Sequence, residues 1–198
     1  MKKMILVSSP PACGKTYISK QLAKNLKNAV YLDKDTLIPL SKQIFRVAKK
    51  PYDRSSDFFE ENVRDYEYEA ILGLAFEALR YAERVIVNAP FTRELNDLDY
   101  VKKLKLKLGE LGAELTVIWV VATEQVCRAR MKRRNSDRDG YKISHWDEYV
   151  QTIDFALPAA LNDPSVKDDV IMFYNSSEPE FIKSMHDVML ALGEDGNV

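Results

Sequence analysis

Short apolar runs closed by polar turns alternate along the chain with longer stretches in which apolar residues recur every three or four positions. Met4 to Val7, Val30 to Leu32, Val85 to Val87, Leu115 to Val121 and Val170 to Phe173 predict five buried strands. Between them, Ile18, Leu22 and Leu26 line one face of a helix. Phe59, Val63, Tyr66, Ala70 and Leu74 do the same in a longer helix, set at Asp57 to Ala82. Val101, Leu104, Leu108 and Leu111 mark a third, with its lysines turned to water. Trp146, Tyr149, Val150, Ile153 and Leu157 mark a fourth, and Phe181, Met185, Val188 and Leu192 a terminal one. Strands that alternate with helices predict a doubly wound α/β fold, its strands parallel and joined by right-handed crossovers. No repeat or linker divides the chain, so 1–198 reads as one domain, and the tail from Gly193 to Val198 is expected to fray.

Composition narrows the class. The 198 residues carry 29 Lys+Arg against 30 Asp+Glu, a net charge of -1 that gives no global grip on nucleic acid. Cys13 and Cys127 form no disulfide framework and no metal-ligand spacing, which points to a reducing compartment. The apolar run after Met1-Lys2-Lys3 is too short for a secretion signal, and no stretch is long enough to span a membrane. The expected location is cytoplasmic.

The chemistry begins directly after the first strand, at Ser9-Pro10-Pro11-Ala12-Cys13-Gly14-Lys15-Thr16. This is the phosphate-binding pattern G-x-x-x-x-G-K-[ST] with Ser9 at the first glycine. Backbone N–H groups of Ala12, Cys13, Gly14, Lys15 and Thr16 are expected to wrap the phosphates, with the positive end of the next helix aimed at them. Pro10 and Pro11 lack N–H groups but precede that set. Lys15 would reach the β- and γ-phosphates, and the Thr16 hydroxyl would ligate Mg2+.

With these residues the chain resembles the small P-loop kinases, the broad group of nucleotide, shikimate and gluconate kinases and zeta-toxin-like phosphotransferases. The resemblance spans most of the chain as architecture, and as sequence the P-loop, Asp33-Lys34-Asp35 and an arginine-rich segment. It implies five strands in the order 2-3-1-4-5, a helical lid over about 128–149, and ATP as nucleotide. The absence of Asn-Lys-x-Asp disfavours a regulatory GTPase, and the lack of an apolar strand ending in Asp-Glu disfavours an AAA-type mechanical ATPase.

By the resemblance, Asp33 would assist Mg2+ and Asp35 would orient or deprotonate the acceptor hydroxyl, although Asp35 also suits a helix N-cap. Asn88 stands where such kinases have a carboxylate, which leaves more of the metal binding to Asp33 and water. Arg93 lies near the place where they hold an acceptor phosphate, with an ordinary surface charge as the alternative. From Arg128 to Lys142, seven cations face two anions. There Arg130 would pack on adenine, Arg134 contact phosphate, and Arg138 swing in against charge on the transferring group. Tyr66, Tyr68 and Arg64 fall where acceptors are recognised, but helix packing explains the tyrosines equally well. His145 and His186 have no metal-ligand spacing.

The expected activity is ATP- and Mg2+-dependent phosphoryl transfer to a small-molecule hydroxyl or phosphate. Two alternatives stay open: a polynucleotide-end kinase and a non-catalytic ATP-binding regulator.

Overall fold

A computed structural model describes residues 1–134 and 140–194. Five strands, β1 (Lys2–Ser8), β2 (Ala29–Asp33), β3 (Arg84–Asn88), β4 (Ala113–Val121) and β5 (Val170–Tyr174), form one sheet in the order β2-β3-β1-β4-β5. Every pairing is parallel. The expected order therefore holds.

Alternation along the central strands divides the core into two layers. Met4 and Leu6 of β1 pack with Val85, Val87, Leu115 and Val117 on one face, covered by α4 (Arg64–Ala78) and α5 (Leu98–Glu110). Ile5 and Val7 pack with Ile86, Ile118 and Phe173 on the other, covered by α1 (Lys15–Asn25), α6 (Glu124–Arg134) and α9 (Glu178–Ala191). Register aligns Met4 with Val85 and Leu115, so a one-residue slip would exchange the two layers.

Two helices depart from the simple period. The stretch expected to run from Asp57 to Ala82 breaks at Val63 (φ -132°, ψ -46°) into α3 (Asp57–Asn62) and α4. Phe59 and Val63 pack on Phe45 of α2 (Ile38–Val47), away from the sheet, whereas α4 packs on the sheet through Tyr68, Ile71, Leu72 and Ala75. One straight helix cannot serve both bodies. The break rotates the face, leaving Tyr66 and Leu74 66% and 52% exposed.

The helix expected through Leu157 also ends early. After α7 (Gly140–Ser144), α8 runs only over Trp146–Gln151. Trp146 packs in the α1 layer while Leu157 joins the opposite core, so the chain must leave the helix to cross the sheet edge. At the C-terminus Glu194 is paired with Arg84 (2.6 Å), and the rest of the tail lies outside the described residues. Among the described residues no helix is long and apolar enough to cross a membrane.

Candidate active site

The loop between β1 and α1 shows why serine stands at the first glycine position. Left-handed backbone occurs at Ala12 (φ 64°) and Gly14 (φ 100°), not at Ser9. Ser9 is buried, and its hydroxyl donates to the Pro10 carbonyl at 2.8 Å. Glycine's freedom is required at Gly14, where an added Cβ would stand 2.4 Å from the Asn175 amide nitrogen. Asn175 closes the loop from below: its side chain donates to the Cys13 carbonyl at 2.7 Å. Arg130 donates to the Cys13 carbonyl (2.9 Å) and to the Asn175 carbonyl (2.8 Å). Loop, β5 end and α6 are thereby joined through backbone oxygens.

Asn88 organises the floor. Its buried amide accepts from Lys15 Nζ (3.0 Å) and donates to Thr16 Oγ1 (3.2 Å) and to the Tyr31 hydroxyl (3.1 Å). Tyr31 in turn donates to Asp33 Oδ2 at 2.8 Å. Burial, reinforced by the Asp33 carboxylate, raises the Tyr31 pKa above its ordinary value, so it remains a proton donor. Thr16 and Asp33 thus belong to one hydrogen-bonded set through Asn88 and Tyr31. The set holds hard oxygen donors, the kind Mg2+ takes when phosphate and water complete its shell. The residues present fit that ion.

Asp33, rather than Asp35, is the helix cap. Its Oδ1 accepts from the Asp35 N–H (3.0 Å) and opens a 3-10 turn over Lys34–Leu37. Asp35 is exposed and lines the cleft.

A cleft of about 1040 Å³ takes in Ser9 to Ala12, Gly14 to Tyr17, Asp33 to Asp35, Asn88 and Thr92. Its opposite wall comes from Arg130, Arg133, Arg134 and Lys142, and its outer end from Ser176, Ser177, Phe181 and Ile182. Tyr17 and Phe181 meet there with ring centroids 5.6 Å apart. Arg138 lies outside the described residues. Arg93 lines a separate groove between α4 and α5, ion-paired with Glu60, as do Arg64 and Tyr68. Arg64 is buried against Glu94 (2.9 Å), and the Tyr68 hydroxyl accepts from the Phe91 N–H. His145 and His186 are exposed.

An ionic cluster beside Asp35 has no motif. Lys34 lies buried against Glu67 (2.5 Å), Arg54 binds the same carboxylate through both terminal nitrogens (3.1 and 2.6 Å), and Ser41 donates to it. Burial opposes the charge on Glu67, but these donors hold its pKa below the ordinary carboxylate value. Burial pulls Lys34 below its usual pKa. Lys34 and Arg54 both line the cleft beside Asp35. No local spacing reveals the cluster, because its members come from four segments. Tyr31 and Asn175 also escaped the sequence reading; Asn175 directly follows the carboxyl end of β5, which was the available signal for it, whereas Tyr31 sits in the middle of β2 and gave none.

Solved structures with the same fold include a gluconokinase from Sinorhizobium meliloti 1021 (TM-score 0.54, 14% identity, 96% of this chain and 95% of that one). A shikimate kinase from Bacteroides thetaiotaomicron gives a TM-score of 0.53 at 12% identity over 96% and 98%. The tunicamycin resistance protein of Deinococcus radiodurans gives 0.56 at 14% over 98% and 97%. At these identities the likeness shows the fold, that of the small P-loop kinases. No curated protein sequence matches the chain. The family model described as AAA domain matches residues 4–155, from β1 past α8, and the chain belongs to that family.

Proposed function

We propose that the protein is an ATP- and Mg2+-dependent phosphotransferase acting on a small-molecule hydroxyl or phosphate. The observation that carries this reading is the sharing of one cleft by the phosphate loop and an exposed Asp35 that is not consumed as a cap. The N–H groups from Ala12 to Thr16 would hold the phosphates, with Lys15 drawn from Asn88 onto the β- and γ-oxygens. Thr16 and, through water, Asp33 would hold Mg2+, which supplies charge neutralisation at the phosphates. Asp35 would orient the acceptor and take its proton. Tyr17, Phe181 and Ile182 give the base an apolar seat, while Arg134 contacts phosphate and Arg138 answers charge on the transferring group. Arg130, tied to the Cys13 and Asn175 carbonyls, would stiffen the loop and present its flat face to adenine. Helices α6 to α8 would act as the lid that excludes water.

Membership of the AAA domain family does not carry a mechanical role here, since β3 ends Val87-Asn88 without an Asp-Glu pair. That same Asn88 favours a second reading, a non-catalytic nucleotide binder. Transfer of labelled γ-phosphate to pools of sugars, nucleosides, nucleotides, small alcohols and oligonucleotides separates them, with Lys15→Ala as blank. Lys15-dependent label in one pool supports the transferase and names its acceptor class. Bound ATP with no label in any pool favours the binder, or a transferase whose acceptor lies outside those pools.

A further inference from the structure

Two thiols from distant parts of the chain meet beneath the phosphate loop. Cys13 lies in the loop, Cys127 in α6, and their sulfurs are 3.6 Å apart. Both are free and fully buried. Neither thiol has a part in the phosphate cradle, which uses the Cys13 backbone alone. The pair joins the loop that would hold nucleotide to the helix that carries Arg130 and Arg134.

We propose that Cys13 and Cys127 form a redox modification site, in which a hydroperoxide oxidises them to an intrachain disulfide that weakens nucleotide binding. The loss of binding rests on the nucleotide site proposed above; the disulfide does not. The Cys127 sulfur attacks the peroxide, an S–O bond forms as the O–O bond breaks, and one water leaves. Cys13 sulfur then attacks the resulting sulfenic acid, the S–S bond forms, the S–O bond breaks, and a second water leaves. Two thiols thus give up two electrons and two protons to one hydrogen peroxide.

The local surroundings favour one order of attack. The hydrogen bond from Cys13, aided by the nearby Arg130 guanidinium, lowers the pKa of Cys127, while that same bond and burial raise Cys13. That makes Cys127 the more readily ionised of the two thiols. Ala12 and Gly14, on either side of Cys13, line the cleft, so a water-sized oxidant has one residue's depth to cross.

The consequence for the loop is geometric. A disulfide holds its sulfurs at about 2.05 Å, so a 3.6 Å contact must shorten by about 1.5 Å. The loop has no slack to absorb this, because Gly14 already packs on Asn175 and the Cys13 carbonyl is held by both Asn175 and Arg130. Closing the bond therefore strains both the Cys13–Gly14 peptides, whose N–H directions would define the cradle, and α6, which carries Arg130 and Arg134.

The test treats the full chain with hydrogen peroxide, blocks remaining thiols with iodoacetamide, and measures intact mass and tryptic peptides. A ribose-labelled fluorescent ATP reports binding before oxidation, after it, and after dithiothreitol. The expected result is a peptide linking Cys13 to Cys127, a loss of two hydrogens in mass, and affinity lower by about tenfold or more, restored by dithiothreitol. Cys127→Ser should bind the probe when reduced and give no reversible loss under peroxide. Absence of the linked peptide, or a linked protein with unchanged affinity, overturns the proposal, as does a Cys127→Ser chain with the same reversible loss. If the reduced wild type fails to bind the probe, the nucleotide reading falls, and the linked peptide alone still decides whether the modification site exists.

Discussion

The two ends of the cleft are built on different principles. At the phosphate loop the groups proposed to bind are backbone amides, and side chains from other elements, Asn175 and Arg130, hold the loop by the Cys13 carbonyl. Beside Asp35 the arrangement is made of charges: Lys34, Arg54 and Ser41 converge on Glu67 from separate segments. A phosphate can be read by backbone because its oxygens need only N–H donors and positive potential. An acceptor must be told from other molecules, and that takes side chains placed by the tertiary fold. On the proposed function, the contrast would make the first end generic and the second end specific.

Lys15→Ala should have the largest effect, a loss of transfer of about a thousandfold or more with an unchanged circular dichroism spectrum. A variant that still transfers phosphate would remove the loop from the chemistry. Asp35→Asn should lower turnover by about a hundredfold while leaving the affinity for labelled ATP in place. Equal loss of both would move Asp35 from the acceptor end to the donor end.

Glu67→Gln tests the charged end through stability. It leaves Lys34 buried without its counter-charge and should cost about 3 kcal/mol in urea unfolding, with ATP affinity retained. Replacing both partners, Lys34→Met with Glu67→Leu, should recover part of that loss. The carboxylate's lowered pKa gives the accompanying pH dependence. Its contribution is complete above the unfolded value of about 4.3 and disappears as pH falls through the lower folded value, so the deficit of Glu67→Gln should shrink in acid. A deficit that grows in acid would contradict the assignment.

Gly14→Ala comes next, at about 1–2 kcal/mol from left-handed backbone alone, together with weaker ATP binding. Relief of the contact in a Gly14→Ala/Asn175→Ser double variant would show that Asn175 sets the loop's shape. Tyr31→Phe should be smallest, about 1 kcal/mol, because it removes the hydroxyl bridging Asn88 and Asp33 without disturbing either backbone. Its readout is the Mg2+ concentration needed for half-maximal transfer, which should rise.

Where a feature is local, the sequence showed it. The strands lay in short, nearly continuous apolar runs, because a sheet covered on both faces admits few polar positions in its centre, Thr116 of β4 being one. The loop was legible because its backbone demands Gly14 next to Lys15 and Thr16 in one contiguous stretch. The long helix was misread for an equally physical reason. Periodicity reports a face but not what covers it, and Val63 marks where the cover changes from Phe45 to the sheet.

The amino-acid order by itself therefore determined the fold class, the strand positions and the phosphate loop, all set by neighbours a few residues apart. Tertiary structure alone decided that Asp35 opens onto the phosphate-loop cleft, that Asn88 joins Lys15 to Tyr31, and that Arg93 turns to Glu60. It also brought Lys34, Ser41, Arg54 and Glu67 together, and Cys13 onto Cys127. Each of these depends on which segments the parallel crossovers carry to the same end of the sheet, and no spacing along the chain encodes that meeting.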